Sequence, residues 1–127
     1  MNIKDEDQAA IRPFMQHGFR PEGASGDTEI YGQCPFCFKA GKFYVNKKTH
    51  QWSCKSCGME GGFQRFLARI AEHCQKYFKG ENARWLVESR GISEETFREA
   101  GVGYNELTKS YTIPVYDQRG VILNWSA

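Results

Sequence analysis

Cys34-Pro35-Phe36-Cys37 is followed, after sixteen intervening residues, by Cys54-Lys55-Ser56-Cys57. Two C-x-x-C pairs at this separation are typical of a tetrahedral zinc site of the ribbon kind. A redox dithiol would need no second pair, and two disulfides would not normally leave a fifth cysteine over. We therefore predict one structural Zn²⁺ ion, because a four-sulfur shell leaves no open position for a catalytic water. Its predicted ligands are Cys34, Cys37, Cys54 and Cys57.

The composition is that of a folded protein in a reducing compartment. The 127 residues suffice for one domain or two very small ones, and nine Phe, six Tyr and three Trp argue against disorder. No apolar run is long enough for a membrane span, and the acidic start of the chain is unlike a signal peptide. We expect a cytoplasmic location without membrane contact, where thiolates bind metal instead of forming disulfides.

The charge is distributed unevenly around the cysteines. Residues 30–59 contain no acidic residue but five lysines: Lys39, Lys42, Lys47, Lys48 and Lys55. A zinc ion with four thiolates carries a formal charge of about −2, which nearby lysines would offset. The remaining positive charge could meet phosphate. Charge alone leaves both interpretations open.

The segment between the two cysteine pairs predicts a β-hairpin. Lys42–Asn46 and His50–Ser53 alternate as strands do, with residues 47–49 as the turn. Phe43 and Val45 are expected on the inner face, and Tyr44 on the outer face. Gly58 follows the last cysteine and suits a left-handed turn that points N–H groups at sulfur.

The flanking segments predict an α+β chain. Residues 4–18 are partly helical, and Pro13 either kinks this helix or starts a second turn with Arg12. Residues 18–29 read as loop. An amphipathic helix follows, whose apolar stripe includes Cys74 as a buried, inert thiol. Arg65 and Arg69 lie on its polar face and read as solvated.

After Gly80 a second unit is predicted, with two short helices and two strands. Gly91 ends the first helix, and Ser93 caps the second. The strands are residues 111–116 and 121–125. We thus expect a zinc ribbon followed by helices and the beginning of a second α/β subdomain. The predicted divisions are 1–30 (helical lead and loop), 31–62 (zinc ribbon), 63–80 (amphipathic helix) and 81–127 (incomplete second domain).

Two blocks of sequence resemble DNA primases. Around the cysteines, Phe43-x-Val45-Asn46, Cys54-x-x-Cys57-Gly58-x-x-Gly61 and Phe66-Leu67 resemble the zinc-binding domain of bacterial and phage primases. The later block resembles the opening of the primase RNA-polymerase domain. It comprises Arg90-Gly91-Ile92-Ser93, Glu95-Thr96-Phe97, Ala100-Gly101-Val102-Gly103-Tyr104, Ile113-Pro114-Val115 and Asp117-x-x-Gly120. Together they cover most of residues 31–125.

Two departures from the family refine this interpretation. Cys37 stands where bacterial primases usually have histidine, which makes the site more similar to phage-type primase–helicases. The family's catalytic toprim core, a Glu in a Gly-containing turn and an Asp-x-Asp pair that hold Mg²⁺, has no counterpart in this sequence. The resemblance therefore implies the front end of a primase, and whether the chain itself is an enzyme stays open. Magnesium-dependent nucleotidyl transfer would need a catalytic part elsewhere.

The resemblance also implies partners: a single-stranded DNA template, the RNA primer, and a replicative helicase or catalytic primase domain. We expect nucleic-acid contacts from the hairpin, through His50, Trp52, Tyr44, Lys42, Lys47 and Lys48. For several of these a structural role is an open alternative. Trp52 either stacks on a base or shields the zinc, and His50 either reads a base edge or is a surface histidine. Lys47 and Lys48 either bind phosphate or are merely solvated.

Three functions are open at this point. The first is the template-recognition region of a phage-type primase, which aids start-site choice in DNA replication. The second is a stand-alone zinc ribbon that binds single-stranded nucleic acid without primase activity. The third is a zinc staple at a protein–protein interface.

Overall fold

The computed structural model of the chain describes residues 3–116 and 122–123. It confirms the predicted α+β class, with an antiparallel sheet followed by helices. The chain divides into two units, Met1–Phe66 and Leu67–Ala127, and the boundary falls within helix α3, Phe63–Gln75. Among the described residues, none of the helices has the length and apolar character needed to traverse a bilayer.

The first unit is built on a five-stranded antiparallel sheet in the order β1-β2-β3-β4-β5. Val45 lies opposite Trp52 and Phe43 opposite Cys54, so the predicted hairpin is present as β3 and β4. His50 is not part of the strand but lies in the turn, with a left-handed φ of 63°. The elements are α1 Asp5–Ala10, α2 Arg12–Met15, β1 Arg20–Ser25, β2 Glu29–Gln33, β3 Phe43–Asn46, β4 Trp52–Cys54 and β5 Glu60–Gly61.

The prediction of a loop over residues 18–29 is wrong, because half of this segment forms β1. The proline and glycines of this segment favour a loop. β1 is an edge strand, however, where the missing N–H of Pro21 is tolerated. A register shift between Pro21 and Gly23 accommodates the irregular sequence. Tyr31 on β2 lies over Gly23, since a Cβ there would be 2.5 Å from the Tyr31 hydroxyl.

One side of this sheet carries an aromatic core. Phe43 and Val45 are fully buried, as predicted, and Phe43 stacks on Trp52 with ring centroids 5.4 Å apart at 17°. The ring centroid of Phe66 on α3 lies 4.6 Å from that of Phe14 on α2. Pro13 is in the first turn of α2, so it starts a second helical segment with Arg12 and does not kink one continuous helix. These contacts fasten the N-terminal helices to the ribbon.

The second unit holds the remaining elements. Helix α3 ends at Gln75 and not at residue 80, because Lys76 and Tyr77 donate to carbonyls three residues back and tighten the chain into a turn. Cys74 is buried, as predicted. The other elements are α4 Gly80–Arg90, α5 Glu94–Glu99, β6 Gly103–Asn105, β7 Ser110–Thr112, β8 Val115–Tyr116 and β9 Ile122–Leu123.

The helix ends of this unit agree with the capping residues that the sequence predicted. Gly91 ends α4 with a left-handed φ of 68°, and the Ser93 hydroxyl accepts the Thr96 N–H at 3.2 Å, as expected of an N-cap. The predicted strand over 111–116 is divided, since β7 pairs with β6 and β8 pairs with β9. Parts of the predicted strand over 121–125, and the turn before it, lie outside the described residues.

Candidate metal centre

The structure brings the four cysteines of the two C-x-x-C pairs together. Their Sγ atoms all lie within 4.8 Å of one another. Cys34 Sγ is 4.0 Å from Cys57 Sγ, and Cys37 Sγ is 3.7 Å from Cys54 Sγ. A tetrahedral ion with Zn–S bonds of about 2.3 Å places its sulfurs about 3.8 Å apart. The four thiols are therefore spaced to hold one tetrahedral metal ion, and zinc fits this all-sulfur donor set.

The two cysteine turns have the same hydrogen-bond pattern, offset by twenty residues. Cys34 Sγ accepts the N–H groups of Phe36 and Cys37 at 3.3 and 3.4 Å. Cys54 Sγ accepts those of Ser56 and Cys57, each at 3.4 Å. Four backbone N–H dipoles thus point at the sulfurs of Cys34 and Cys54. They stabilise the thiolate form and partly offset the negative charge of a four-thiolate metal site.

The sheet fixes the base of each turn. The Cys34 N–H donates to the Lys39 carbonyl at 3.1 Å, and the Cys54 N–H donates to the Met59 carbonyl at 2.8 Å. Cys34 directly follows β2, and Cys54 ends β4. Because the sheet holds these strands in register, the two cysteine pairs face each other.

The thiols differ in acidity in the metal-free protein. Burial raises the pKa of Cys54, but hydrogen bonds from the N–H groups of Cys57 and Ser56, together with those from the Cys57 and Cys34 thiols, lower it to about 7. Burial raises the pKa of Cys34 far above its usual range, despite the N–H groups of Cys37 and Phe36. Burial and the neighbouring Cys54 also raise the pKa of Cys57. Cys54 is therefore the first thiolate available to a metal ion.

Cys74 is separate from this cluster. It lies on α3, and burial raises its pKa to about 12, although the nearby Thr112 hydroxyl opposes the shift. It is a neutral thiol at physiological pH. This agrees with the inert role that the apolar stripe predicted.

Trp52 and His50, two predicted nucleic-acid contacts, are engaged inside the first unit. Trp52 is 3% exposed and its indole N–H donates to the Gly62 carbonyl at 2.7 Å. A nitrogen of His50, Nε2, lies 2.8 Å from the Ala10 carbonyl oxygen, and the ring meets Phe14 edge-on at 5.4 Å. Trp52 is therefore enclosed in the core, while the half-buried His50 is held by a hydrogen bond within the first unit.

Of the predicted phosphate ligands, Lys47 is paired and the other lysines are exposed. Lys47 Nζ is 2.7 Å from Asp7 Oδ1, and this hydrogen bond raises the pKa of the lysine. Lys42 and Lys48 are exposed. Part of the positive charge of the hairpin is therefore neutralised by the N-terminal helix, forty residues away in sequence.

The outer face of the sheet contains aromatic residues that sequence reasoning only partly identified. Tyr44 is half-buried, and Lys55 Nζ lies 5.5 Å from its ring centroid. Tyr31, directly opposite on β2, has its ring 5.9 Å from that of Tyr44. The alternation of β2 could have identified Tyr31, but that residue lies before the cysteines, in a region without a recognised motif.

A polar concavity of about 440 Å³ borders the ring of Tyr44. Glu29 and Glu60, the acids that flank the acid-free stretch, line it with Tyr44 and Arg65. Oε2 of Glu29 is buried without a hydrogen-bond partner. The carboxylates would repel phosphate but can accept hydrogen bonds from amino groups, so this hollow differs in chemistry from the lysine-bearing rim.

Comparison with protein-family models and with curated proteins finds no match for the chain. The site must therefore be interpreted from its own residues.

Proposed function

We propose that this chain is the zinc-stabilised template-binding region of a phage-type DNA primase. The proposal is carried by the cluster of Cys34, Cys37, Cys54 and Cys57 at one end of the sheet. The face of this sheet that points away from the core bears aromatic and basic side chains. The first of the two sequence blocks that resemble primases lies mostly on this same ribbon. In this role the ribbon holds single-stranded template and the RNA primer, and it delivers them to a catalytic part.

The outer face has the chemistry that a single strand requires. Bases present flat faces for stacking, and phosphates attract lysine. Tyr31 and Tyr44 offer rings, and Lys55 is placed beside Tyr44. Lys42 and Lys48 are exposed, and among the described residues neither forms an ion pair that would compete with phosphate. We therefore assign the contacts to these five side chains, with Trp52 and His50 supporting the ribbon from within.

The experiment is a binding titration by fluorescence anisotropy with single-stranded and duplex DNA of equal length. We expect preference for the single strand and affinity that falls with salt, because lysine–phosphate contacts release counterions. Tyr44→Ala should weaken binding by the equivalent of about 1–3 kcal/mol, the usual range for one stacked base. Lys48→Ala should reduce the salt slope by about 0.7.

Lys76→Ala is the matched control, since Lys76 is an exposed lysine of the other unit. It should leave both the affinity and the salt slope unchanged. Equal losses in the Lys76 and Lys48 variants, or no binding of single strands at low salt, would contradict the proposal. The second outcome would favour a zinc staple between proteins.

Primer synthesis separates the primase from a stand-alone single-strand-binding ribbon. The toprim acids are not among the residues of this sequence, so we place magnesium and nucleotidyl transfer on a catalytic part. Supplying a toprim polymerase domain with this chain should raise primer yield on defined templates above that of the domain alone. Binding of single-stranded DNA without any gain in primer yield would instead favour a stand-alone single-strand-binding ribbon.

A further inference from the structure

The second unit contains an aromatic concavity of about 740 Å³ between α4 and the β6–β7 hairpin. It is independent of the metal centre and of the template-binding face. Three rings and three charged side chains line it: Trp85, Tyr104, Tyr111, Glu81, Arg84 and Glu88.

The aromatic part is rigid and accessible. Tyr111 is only 6% exposed, and its hydroxyl donates to the Asn82 carbonyl at 2.7 Å, so it is locked at the base of the concavity. Trp85 lies parallel to Tyr111, with centroids 5.9 Å apart at 12°, and Tyr104 meets Tyr111 edge-on at 5.2 Å. Trp85 is nevertheless 54% exposed. A large ring held in place while open to water is a preformed contact surface.

The charged part favours a positive ligand. Glu81 and Glu88 are seven residues apart on α4, two helical turns, and so share one side of the helix. Within the part of the chain that the structure describes, neither carboxylate forms an ion pair. Arg84 lies between them, which leaves the lining with a net charge of −1. The face of an indole ring also carries partial negative charge and attracts cations.

We propose that this concavity binds a cationic side chain, arginine or lysine, from a basic segment of a partner protein. The indole of Trp85 covers the aliphatic stem and the charged head, and Glu81 and Glu88 pair with the charge. A nucleic-acid strand is the less suitable occupant, because two carboxylates oppose its phosphates and Arg84 is the single cation of the lining.

The test uses the full zinc-loaded chain and the peptide Ac-Gly-Arg-Gly-Arg-Gly-NH₂. Binding is followed by NMR through the indole N–H signal of Trp85, identified by its loss in Trp85→Phe. The control peptide carries citrulline in place of arginine, which keeps the shape but removes the charge. We expect the arginine peptide to shift the Trp85 signal saturably and the citrulline peptide to bind at least fivefold more weakly.

Two sets of variants should change the peptide affinity in opposite directions. Glu81→Gln with Glu88→Gln should weaken peptide binding several-fold, while Arg84→Gln should strengthen it because it removes the repelling cation. All three side chains are exposed, so the fold should not change. Equal binding of the citrulline peptide would overturn the proposal, as would weaker peptide binding by Arg84→Gln. Stronger competition by single-stranded oligo-dT than by the arginine peptide, lost in Arg84→Gln, would instead assign the concavity to nucleic acid.

Discussion

Phe38 and Gly58 occupy equivalent positions in the two cysteine turns, one residue after the second cysteine of each pair. Both have left-handed backbone, with φ of 65° and 76°. Each N–H donates to the carbonyl of the first cysteine, at 2.9 Å for Phe38 and 3.0 Å for Gly58. The fold therefore demands this conformation twice, but only Gly58 adopts it without steric cost.

Gly58→Ala should destabilise the first unit by about 1–2 kcal/mol, the cost of a left-handed conformation for a residue with a Cβ. Free space surrounds the position, so the loss comes from backbone strain alone. Urea denaturation of the zinc-loaded protein measures it. Gly62→Ala is the matched control, because that site is equally open and lacks the positive φ. Equal losses in both variants would contradict the strain explanation.

Cys54→Ser should abolish tight metal binding and destabilise residues 31–60. A bound zinc ion should add to the stability of this segment, since structural zinc in finger peptides contributes roughly 10–16 kcal/mol of apparent binding free energy. Metal content by elemental analysis and backbone amide spectra by NMR measure the two effects. Cys74→Ser is the control and should retain one zinc per chain, because Cys74 lies outside the cluster. A Cys54→Ser protein that kept its zinc and fold would disprove the four-ligand site.

Zinc affinity should fall steeply as the pH is lowered. The pKa values of Cys34 and Cys57 are raised in the metal-free protein, so both are protonated at pH 7 and must release protons to bind zinc. Two released protons weaken apparent affinity by about a hundredfold for each unit of pH. Competition with a zinc indicator at pH 8 and 7 checks this. Affinity that did not change with pH would show preformed thiolates.

Ionisation of Cys54 also contributes to the stability of the metal-free protein. Its folded-state pKa is lowered from 9.0 to about 7, so its ionisation stabilises the fold above pH 9. This contribution is lost as the pH falls through 7. Cys34, whose pKa is raised, instead disfavours the metal-free fold at alkaline pH. Denaturation of the Cys54→Ser and Cys34→Ser variants without metal, at pH 7 and 9, separates the two effects.

Ser93→Ala should destabilise the second unit by about 1 kcal/mol, the usual cost of losing a helix N-cap. The Ser93 hydroxyl accepts the Thr96 N–H at the start of α5, and alanine leaves that donor unpaired. Thermal unfolding measures the loss. Ser89→Ala is the control, because the Ser89 hydroxyl donates to a carbonyl of its own helix, at Trp85, and caps no N–H group among the described residues. An effect of Ser89→Ala as large as that of Ser93→Ala would argue against the capping role.

The sequence by itself determined the features that depend on neighbours in the chain. The spacing of the cysteines specified two metal-binding turns, alternation specified the hairpin, and Gly91 and Ser93 marked helix ends. Each of these signals acts within a few residues, where backbone geometry and hydrogen bonding leave few alternatives. The same locality explains why the buried positions of Phe43 and Val45 were correct.

Only the tertiary structure decided what depends on distant partners. Edge strand β1 forms because β2 offers it a pairing edge, although its own composition favours a loop. Lys47 is neutralised by Asp7, and the indole of Trp85 rests on Tyr111, twenty-six positions further along the chain. The sequence left open whether Trp52 stacks on a base or shields the zinc, and packing places its ring against Phe43 and Phe66. Periodicity defines the two sides of a strand or helix, whereas the partner of each side is chosen by packing of the whole chain.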